Sequence, residues 1–443
     1  MMNEKLYKKS RYTVRHETAD GTLILYNTLS GAIATVDQPS ETEEIKHILR
    51  AGLVKPPQNE NERLLVENDF LVNPDLDERV LADVYRNQEK YRSDHYELTL
   101  YSTEECNFRC VYCFEKFLRG EMSKDIQNSV IKHVLKKAPY MNSFNIAWFG
   151  GEPLEGIGAI RHINSEIKKI SEEFKFKFTS GITTNGYNLD VDLFKELVDL
   201  NIIQYQITLD GPKDTHDTHR ILKDGGPSFD KIIENLKAIQ KTNLEFKILI
   251  RSNFDKTNQH RMQELIEILQ TFLDGDERFH LYFKPIINFE GESAKDLPLY
   301  QPNESWQAMS DVQSLAHCHF PTSQELLNSL QPMGSTCFAG LPNNFAIGAD
   351  GTIYKCTLAL HEPFNQLGKI NEDGDLDIDN NKFALWVTSD ATHDTQCNNC
   401  FLKPACQGMH CPLVRIRTQK SPCPPLKKNI RTALELVTVD AGI

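Results

Sequence analysis

The chain has 443 residues, of which 40% are hydrophobic and 25% charged, as expected for a globular protein of two or three domains. Its 49 basic and 62 acidic side chains leave a formal net charge of −13, which argues against a polyanionic partner such as RNA or DNA. No apolar run is long enough to cross a bilayer, and the first residues lack the apolar core of a signal peptide, so we expect a cytoplasmic protein that does not enter the membrane.

Residues 1–92 are predicted to form an N-terminal domain and a helical linker. Within them, residues 21–26 and 32–36 have the pattern of two strands paired as a hairpin. Ser40 followed by Glu43 has the pattern of a capping box at the start of a helix. The residues fit a structural cap and, equally, a winged-helix-like module that adds an extended peptide to a strand edge.

Residues 93–310 alternate between strand and helix patterns. This alternation predicts a parallel sheet with right-handed crossovers, in the form of a partial (β/α)6 TIM-like barrel. The predicted strands are 97–101, 144–149, 175–183, 203–209, 245–252 and 280–287. Functional residues in such a barrel lie where the strands end, at the carboxyl edge of the sheet. Each predicted strand ends at a cysteine-rich, glycine-rich or polar segment, so we expect these segments on one rim.

The loop after the first predicted strand contains Cys106, Cys110 and Cys113, spaced C-x3-C-x2-C. In a reducing compartment, a chain with 11 cysteines is expected to bind metal rather than to form disulfides. Three close thiolates without a nearby fourth favour an iron-sulfur cluster over zinc, because structural zinc sites have four ligands. On spacing alone, buried thiols or half of a zinc site remain alternatives.

A second group of cysteines lies in residues 311–443. Its members are Cys337, Cys356, Cys397, Cys400, Cys406, Cys411 and Cys423. So many cysteines in a short region indicate metal binding. Taken alone, their C-x2-C spacing fits two zinc sites as well as two iron-sulfur clusters.

The cysteine loop, with the aromatic Tyr112 before its last cysteine, resembles that of the radical S-adenosylmethionine (SAM) enzymes. The resemblance implies that Cys106, Cys110 and Cys113 hold a 4Fe-4S cluster whose open iron binds SAM. It also implies that SAM is cleaved to a 5′-deoxyadenosyl radical, which removes a hydrogen atom from the substrate.

The other rim segments are ordinary turn sequences when taken singly, but in this order they resemble the SAM site of the same family. The resemblance implies that the backbone of Gly150, Gly151 and Glu152 receives the methionine amino group. The side chains expected to hold the ribose and the carboxylate are Thr184, Asn185, Arg251 and Asn253. The planar guanidinium of Arg251 suits a carboxylate, and a structural salt bridge is its alternative role. Asp210 and Glu152 are the predicted catalytic residues, and the candidate general bases are Asp210, Glu152, Glu115 and His216.

Joined to the barrel, the C-terminal cysteines resemble a SPASM domain, which implies two auxiliary 4Fe-4S clusters and three clusters in all. The expected outer ligands are Cys397, Cys400, Cys406 and Cys423, and the expected inner ligands are Cys337, Cys356 and Cys411. Four residues separate Cys406 from Cys411, where three are commoner in the family. The inner set is one ligand short, so either Cys318 completes it or an open iron can bind a substrate thiolate.

The whole layout resembles the thioether-forming ranthipeptide and sactipeptide maturases. This implies a ribosomally made precursor peptide whose leader binds the N-terminal domain, and an electron donor such as flavodoxin or ferredoxin. Alternatives are a peptide maturase that forms carbon-carbon bonds or epimerises residues, and a non-catalytic, zinc-stabilised peptide-binding protein. A further alternative is an anaerobic sulfatase-maturing enzyme, which makes formylglycine. Those enzymes carry an acidic residue where this chain has Thr357.

Overall fold

A computed structural model describes residues 6–288, 294–301, 304–316, 320 and 324–441. The chain divides into two compact units. The terminal unit consists of Met1–Arg92, Thr322–Pro342 and Trp386–Ile443, and the barrel unit consists of Ser93–Pro321 and Asn343–Leu385. The terminal unit therefore combines segments that the sequence analysis assigned to different domains.

Strands and helices alternate through most of the described chain. The strands are β1 Lys8–Lys9, β2 Thr13–Glu17, β3 Leu23–Asn27, β4 Ile33–Val36, β5 Leu71–Val72, β6 His95–Tyr101, β7 Phe108–Cys110, β8 Ser143–Phe149, β9 Lys177–Thr184, β10 Ile202–Thr208, β11 Arg220–Leu222, β12 Lys247–Phe254, β13 Phe279–Pro285, β14 Asn344–Ile347, β15 Thr352–Tyr354, β16 Gly368–Ile370 and β17 Leu376–Ile378. The helices are α1 Pro39–Ile48, α2 Glu60–Glu67, α3 Glu78–Lys90, α4 Lys124–Lys137, α5 Ile157–Phe174, α6 Val191–Asp199, α7 Lys213–His219, α8 Phe229–Gln240, α9 Met262–Leu273, α10 Ser305–Ala316, α11 Gln324–Leu330, α12 Asn380–Val387, α13 Thr395–Asn398, α14 Lys403–Cys406, α15 Pro412–Thr418 and α16 Ile430–Ala441.

The barrel unit is built on six parallel strands. They are β6, β8, β9, β10, β12 and β13, and each pairs with the next one along the chain. Helices connect them, as right-handed crossovers require. The prediction of a partial (β/α)6 barrel is confirmed, and the observed strands lie within a few residues of the predicted ones. The carboxyl ends of the six strands meet at one rim.

A feature that the sequence did not indicate extends this sheet beyond β6. Strand β14 pairs parallel to β6, and β15, β16 and β17 continue the sheet as antiparallel neighbours. Cys356 lies two residues after the end of β15 and is 7% exposed. This cysteine therefore belongs to the barrel unit, although its sequence position lies within the C-terminal cysteine region.

The terminal unit contains the antiparallel sheet β2-β3-β4, and the predicted hairpin of β3 and β4 is confirmed. Buried apolar residues join this sheet to α1 and α2, namely Leu23, Leu25, Ile45, Ile48, Leu49, Leu65, Phe70 and Leu71. The expected role of Ser40 as a helix cap is wrong. Helix α1 begins at Pro39, one residue before Ser40, because a proline at the first helical position has a preset φ and no N–H to satisfy.

Helix α3 is anchored within the terminal unit by buried charges. Lys90 Nζ lies 2.7 Å from Asp390, and the two side chains are 1% and 6% exposed. Lys403 Nζ lies 2.8 Å from Asp83 and is also 1% exposed. Removal of one partner from a buried pair costs about 3–5 kcal/mol, a figure that applies to Lys90 and Asp390. Asp83 is 40% exposed, so its contact with Lys403 contributes less. Both contacts hold α3 against the C-terminal segments. In the described part of the chain, no helix has both the length and the apolar character that crossing a bilayer requires.

Candidate active site

The cysteine loop follows β6 at the rim of the barrel unit. Within it, β7 pairs antiparallel with β11, and this register places Cys110 opposite Arg220. Cys106, Cys110 and Cys113 are free thiols of intermediate exposure. The backbone N–H of Phe108 donates to the sulfur of Cys106 at 3.3 Å.

The chemistry of these thiols fits an iron-sulfur cluster. Burial raises the pKa of Cys106 to about 12 and that of Cys113 to about 11. A metal lowers the pKa of a thiol that it binds, so a cluster at this loop would compete with the protons of the three thiols. Within the described residues, no group of three or more His, Cys, Asp or Glu side chains is arranged to hold a single metal ion.

The glycine-rich segment after β8 packs tightly against the backbone that precedes Cys106. The N–H of Glu152 donates to the carbonyl of Glu105 at 2.8 Å. A Cβ on Gly151 would lie 2.2 Å from that carbonyl oxygen, and Gly150 has a φ of +130°. Only glycine allows both the close approach and this backbone conformation. The segment predicted to receive the SAM amino group is thus held beside the cysteine loop.

Glu152 connects the ends of two neighbouring strands. Its carboxylate is 1% exposed and accepts hydrogen bonds from Thr184 Oγ1 at 2.6 Å, from the Asn185 N–H at 2.7 Å and from the Leu154 N–H at 3.1 Å. Burial raises its pKa to about 7, while these three donors oppose the shift. Both oxygens accept hydrogen bonds from the protein, so Glu152 holds the ends of β8 and β9 together. We call this arrangement the Glu152 brace.

Asn185 extends this brace to the cysteine loop. Its Nδ2 donates to Asn107 Oδ1 at 2.7 Å, and Asn107 follows Cys106 directly. Its own Oδ1 accepts from the Tyr187 N–H at 2.9 Å. Thr184 and Asn185, predicted to bind SAM, therefore lie at the cysteine loop and help to order it.

Tyr112 is the centre of a second network at the rim. Its hydroxyl donates to Asp210 and accepts from Arg220 Nη1 at 2.9 Å and from Asn253 Nδ2 at 3.1 Å. Asp210 is fully buried and also accepts from the Asn253 N–H at 2.9 Å. The network joins the cysteine loop to the ends of β10 and β12.

The candidate bases differ in their surroundings. His216 is fully buried, accepts the Asp210 N–H at Nδ1 and contacts Ser228 Oγ through Nε2 at 3.0 Å. Burial lowers its pKa well below the usual value, so it is neutral and has a structural role. Asp210 is likewise occupied within the protein. Glu115 differs, because its buried Oε1 has no hydrogen-bond partner among the described residues, and burial raises its pKa to about 8.

Arg251 has a free guanidinium edge among the described residues. Its hydrogen bond there joins Nε to Asn253 Oδ1 at 3.0 Å, and its terminal nitrogens form none. A planar edge of this kind can bind both oxygens of a carboxylate. The alternative of a structural salt bridge is not observed within this part of the chain.

Arg220 is a site residue to which the sequence analysis gave no role of its own, although it ends the segment 216–220 that resembles one near the substrate. It is 8% exposed, and its guanidinium carbon lies 5.5 Å from the centre of the Phe108 ring. Cys110, Tyr112 and Asp210 raise its pKa further above the usual value, against the effect of burial. It places a permanent positive charge beside the cysteine loop. The pairing of β7 with β11, which creates this position, has no local sequence pattern.

An open cavity of about 690 Å3 lies beside the cysteine loop in the barrel unit. Residues from four rim segments line it, among them Cys106, Asn107, Glu155, Tyr187 and Lys223. Its volume is in the range of sites for small ligands. The cavity therefore offers room for a small molecule next to Cys106.

The predicted outer-cluster cysteines lie together in the terminal unit. Cys397, Cys400, Cys406 and Cys423 line one small cavity. Arg415 Nη2 lies 3.6 Å from the sulfur of Cys397, and Lys427 Nζ lies 3.6 Å from that of Cys423. Burial raises the pKa of Cys397 and brings that of Cys406 to about 11, and Arg415 opposes the shift at Cys397. A bound metal would compete with the protons of these thiols.

The predicted inner ligands are divided between the units. Cys337 and Cys411 belong to the terminal unit, and Cys356 belongs to the barrel unit, where its N–H donates to Asn365 Oδ1 at 3.0 Å. Their joint ligation of a cluster stays a prediction. Cys318 lies outside the described residues.

Comparison with known proteins adds a family match and several relatives. Residues 100–269 match the Radical SAM superfamily. The cysteine-type anaerobic sulfatase-maturating enzyme of Clostridium novyi (strain NT) is 26% identical, over 69% of this chain and 85% of that protein. The radical SAM cyclopropyl synthase TigE of Paramaledivibacter caminithermalis is 21% identical, over 92% of this chain and 90% of that protein.

Two solved structures share the fold. Native anSMEcpe with bound AdoMet and Cp18Cys peptide has a TM-score of 0.60 at 18% identity, covering 78% of this chain and 99% of that one. Streptococcus suis SuiB bound to the precursor peptide SuiA has a TM-score of 0.51 at 15% identity, covering 91% and 95%. At such identities the likeness concerns the fold alone. The likeness to SuiB covers 91% of this chain and therefore extends well beyond the barrel strands.

Proposed function

From the radical SAM domain at residues 100–269, we propose that this chain is a peptide maturase that forms thioether cross-links in a ribosomally made precursor. A cysteine sulfur of the peptide is joined to a carbon of an acceptor residue. When bound, SAM and the 4Fe-4S cluster supply the 5′-deoxyadenosyl radical that removes a hydrogen atom from that carbon. The observation that carries the proposal is the convergence of the cysteine loop, Glu152, Tyr112 and Arg251 on one rim.

In this proposal the chain's own residues bind the cluster and SAM and orient them. Cys106, Cys110 and Cys113 are the ligands of the cluster, and the Glu152 brace and the Tyr112 network fix their loop. Arg251 holds the SAM carboxylate through its terminal nitrogens, which form no hydrogen bond within the described residues. Because these side chains are fixed before ligand binds, little reorganisation is needed at the reacting centre.

The peptide substrate is proposed from the relatives and from the terminal unit. The solved structures include complexes with a Cp18Cys peptide and with the precursor peptide SuiA. In this chain, β2 and β4 form the two edges of the three-stranded sheet. An edge strand can pair with an extended peptide through main-chain hydrogen bonds. We place the leader of the precursor at this sheet.

Closure of the carbon-sulfur bond removes two hydrogens from the peptide. The first leaves as an atom to the 5′-deoxyadenosyl radical. The second leaves as the thiol proton, together with one electron that needs an acceptor. The cavity lined by Cys397, Cys400, Cys406 and Cys423 is the site that we propose for an outer auxiliary cluster. Cys337, Cys356 and Cys411 are the proposed ligands of an inner cluster.

Formylglycine formation is the second candidate, because the Clostridium novyi relative aligns over 69% of this chain. The sulfatase-maturing enzymes are expected to have an acidic residue at the position of Thr357. A threonine hydroxyl cannot serve as a base near neutral pH, and the Thr357 carbonyl accepts the Tyr101 hydroxyl at 3.5 Å. Carbon-carbon bond formation is a third candidate, since the cyclopropyl synthase aligns over 92% of the chain.

The mass of a cysteine-containing peptide encoded beside the gene, after anaerobic co-expression with the enzyme, separates these candidates. Thioether formation removes two hydrogens for each cysteine and leaves that cysteine unable to react with an alkylating agent. Carbon-carbon bond formation gives the same mass loss with free thiols. Formylglycine formation removes the sulfur and leaves an aldehyde. Only the first result supports the proposal.

A further inference from the structure

One face of the barrel sheet is only half-buried. On β13, the side chains that point to one face are 0% exposed, namely Phe279, Leu281 and Phe283. Those that point to the other face are half-buried, namely His280, Tyr282 and Lys284. Strands β8, β9 and β12 show the same alternation. Side chains fill the interior of a closed barrel, so this half-buried face indicates that the interior of the partial barrel is open. We call it the open face.

The strand register places Lys284 beside the proposed SAM site. Directly paired residues of neighbouring strands point to the same face of a sheet. Arg251 is paired with Tyr282, and Asn253 is paired with Lys284. Asn253 Nδ2 donates to the hydroxyl of Tyr112, a residue of the cysteine loop, at 3.1 Å. The cysteine loop therefore lies on the open face, and Lys284 is the neighbour of Asn253 on that face.

Lys284 carries a charge that the described residues do not neutralise. Its Nζ lies 5.9 Å from the centre of the Tyr282 ring, and the described residues offer this ammonium no hydrogen bond or ion pair. Arg278, at the other end of β13, differs. It lies 2.7 Å from Asp276 and also donates to three backbone carbonyls. An aromatic ring attracts a cation without cancelling its charge, so the site at Lys284 favours an anionic ligand.

SAM does not account for this cation. Its one carboxylate is assigned to Arg251, whose planar guanidinium can bind both oxygens. The amino group and the sulfonium of SAM are positively charged and would repel an ammonium. The ribose and adenine carry no charge. Lys284 therefore requires an anion from a second molecule bound on the open face.

We propose that Lys284 binds a carboxylate of the precursor peptide and thereby positions the acceptor residue. This inference rests on the proposed function, because it takes a peptide as the substrate. The carboxylate belongs to an Asp or Glu side chain or to the C-terminus of the peptide. Because the site is half-buried, water screens the ion pair less than it would at the surface.

The position of Lys284 gives this contact its consequence. Asn253 links its neighbourhood to the cysteine loop, where the 5′-deoxyadenosyl radical is expected to form. A peptide held by its carboxylate at Lys284 has the adjoining residues on the open face, beside that loop. Lys284 is therefore a specificity-determining residue, because it selects a peptide with a carboxylate near the acceptor.

The test is a double-mutant cycle in binding. The iron-loaded, SAM-bound, full-length enzyme is titrated by calorimetry without a reductant, so that no turnover occurs. The ligand is the cysteine-containing part of the precursor encoded beside the gene, with the leader supplied as a separate, saturating peptide. Peptide variants replace each Asp by Asn and each Glu by Gln, one at a time, and a further variant has an amidated C-terminus.

The enzyme variants are Lys284→Met, Lys284→Arg and a matched control, Lys247→Met. Lys247 is exposed at the amino end of β12 and points to the same face, about 20 Å from Lys284 along the strands. The control removes the same charge from the same face. The SAM Kd and the iron content are measured for each protein.

We expect Lys284→Met to raise the peptide Kd at least about tenfold, with Lys284→Arg within about threefold and Lys247→Met within about twofold of wild type. One peptide variant should cause a similar loss with wild type but less than about a twofold further loss with Lys284→Met, because the two changes remove one contact. The identity of that variant distinguishes a side-chain carboxylate from the C-terminus.

Two results would overturn the inference alone. One is a set of peptide variants whose losses are the same in wild type and in Lys284→Met. The other is a SAM Kd raised at least about tenfold in Lys284→Met, which would assign Lys284 to the SAM carboxylate.

The proposed function is judged separately. If the peptide is cross-linked but no coupling to Lys284 is found, only the role of Lys284 is wrong. If coupling is found but the peptide gains no thioether, the contact stands and the reaction is wrong. A wild type that does not bind the peptide at all would overturn both.

Discussion

The hydroxyl of Tyr112 donates a hydrogen bond to the carboxylate of Asp210, a residue 98 positions later in the chain. This contact joins the residue before Cys113 to the end of β10. Arg220 and Asn253 donate to the same hydroxyl, so four segments of the barrel unit meet at one oxygen atom. This junction helps to position the cysteine loop.

Replacement of Tyr112 by phenylalanine should weaken SAM binding and leave the three cysteine ligands in place. The change leaves Asp210 without one donor and Arg220 Nη1 without its acceptor, while Asn253 Nδ2 can still donate to Asp210 at 3.3 Å. In a buried site this loss costs about 1–3 kcal/mol. We expect a SAM Kd raised about five- to a hundredfold in anaerobic equilibrium dialysis, at unchanged iron content.

The matched control is Tyr205→Phe, because the hydroxyl of Tyr205 is buried without a hydrogen-bond partner among the described residues. This variant should bind SAM like the wild type. An unchanged Kd in Tyr112→Phe would contradict the role of the network.

Gly151→Ala should disrupt the rim. The new Cβ would lie 2.2 Å from the Glu105 oxygen and 2.5 Å from the Glu104 oxygen, both of which belong to the backbone and cannot rotate away. We expect a loss of at least about 2 kcal/mol in the free energy of unfolding, together with weaker SAM binding, measured by denaturant titration and dialysis.

Gly158→Ala provides the comparison for that variant. Gly158 lies in α5, and a Cβ there meets no heavy atom within 4 Å. Alanine in a helix is about 0.5–1 kcal/mol more favourable than glycine, so this variant should be slightly more stable than wild type. If both alanine variants behaved alike, the proposed tight packing of the two loops would be wrong.

Protonation of His133 should lower the folding stability of the barrel unit at acidic pH. Its Nδ1 donates to the Gly374 carbonyl at 2.8 Å, and its Nε2 accepts the Tyr96 hydroxyl at 2.9 Å. Burial lowers its pKa to about 4, from 6.5 in the unfolded chain. Between these values the unfolded chain binds more protons, so the stabilisation present above pH 6.5 is lost as the pH falls toward 4.

The measurement is the free energy of unfolding at several pH values in this interval. For wild type, His133 should contribute a loss of up to about 3 kcal/mol between pH 6.5 and 4, and His133→Gln should remove that contribution. His260→Gln, at an exposed position, should retain the wild-type pH dependence. Parallel curves for wild type and His133→Gln would show that His133 is not the titrating group.

Much of this architecture is predictable because its causes are local. The period-two patterns of strands such as Ser143–Phe149, and the polar segments where these strands end, are sufficient to locate the rim. The hairpin of β3 and β4 is predictable for the same reason. The start of α1 is not, because Pro39 and Ser40 both suit a helix N-terminus and the sequence does not decide between them.

The features that escaped prediction depend on distant parts of the chain. Strand β14 pairs with β6 although more than two hundred residues separate them, and nothing in either segment specifies this partner. Arg220 reaches the cysteine loop only because β11 pairs with β7. Arginine in a surface loop is common, so its burial beside Cys110 is a property of the tertiary structure alone.

The assignment of the auxiliary ligands leads to an iron-counting prediction. Cys400→Ala should lose about one third of the iron and acid-labile sulfide of the reconstituted protein, because one of three 4Fe-4S clusters loses a ligand. Cys318→Ala should retain the full amount, since we expect an open inner site. A loss of one third in Cys318→Ala would make Cys318 a ligand, and zinc in place of iron in the wild type would contradict the account altogether.

The most direct test of thioether formation tracks the hydrogen atom that is removed from the peptide. A precursor peptide whose carbon-bound hydrogens are all replaced by deuterium is incubated anaerobically in ordinary water with the iron-loaded enzyme, SAM and a reductant. The account predicts that 5′-deoxyadenosine gains one deuterium for each cysteine that becomes resistant to alkylation, and that Cys110→Ala gives neither product. Deuterium-free 5′-deoxyadenosine, or deuterium transfer with every cysteine still reactive, would contradict thioether formation by hydrogen abstraction from the peptide.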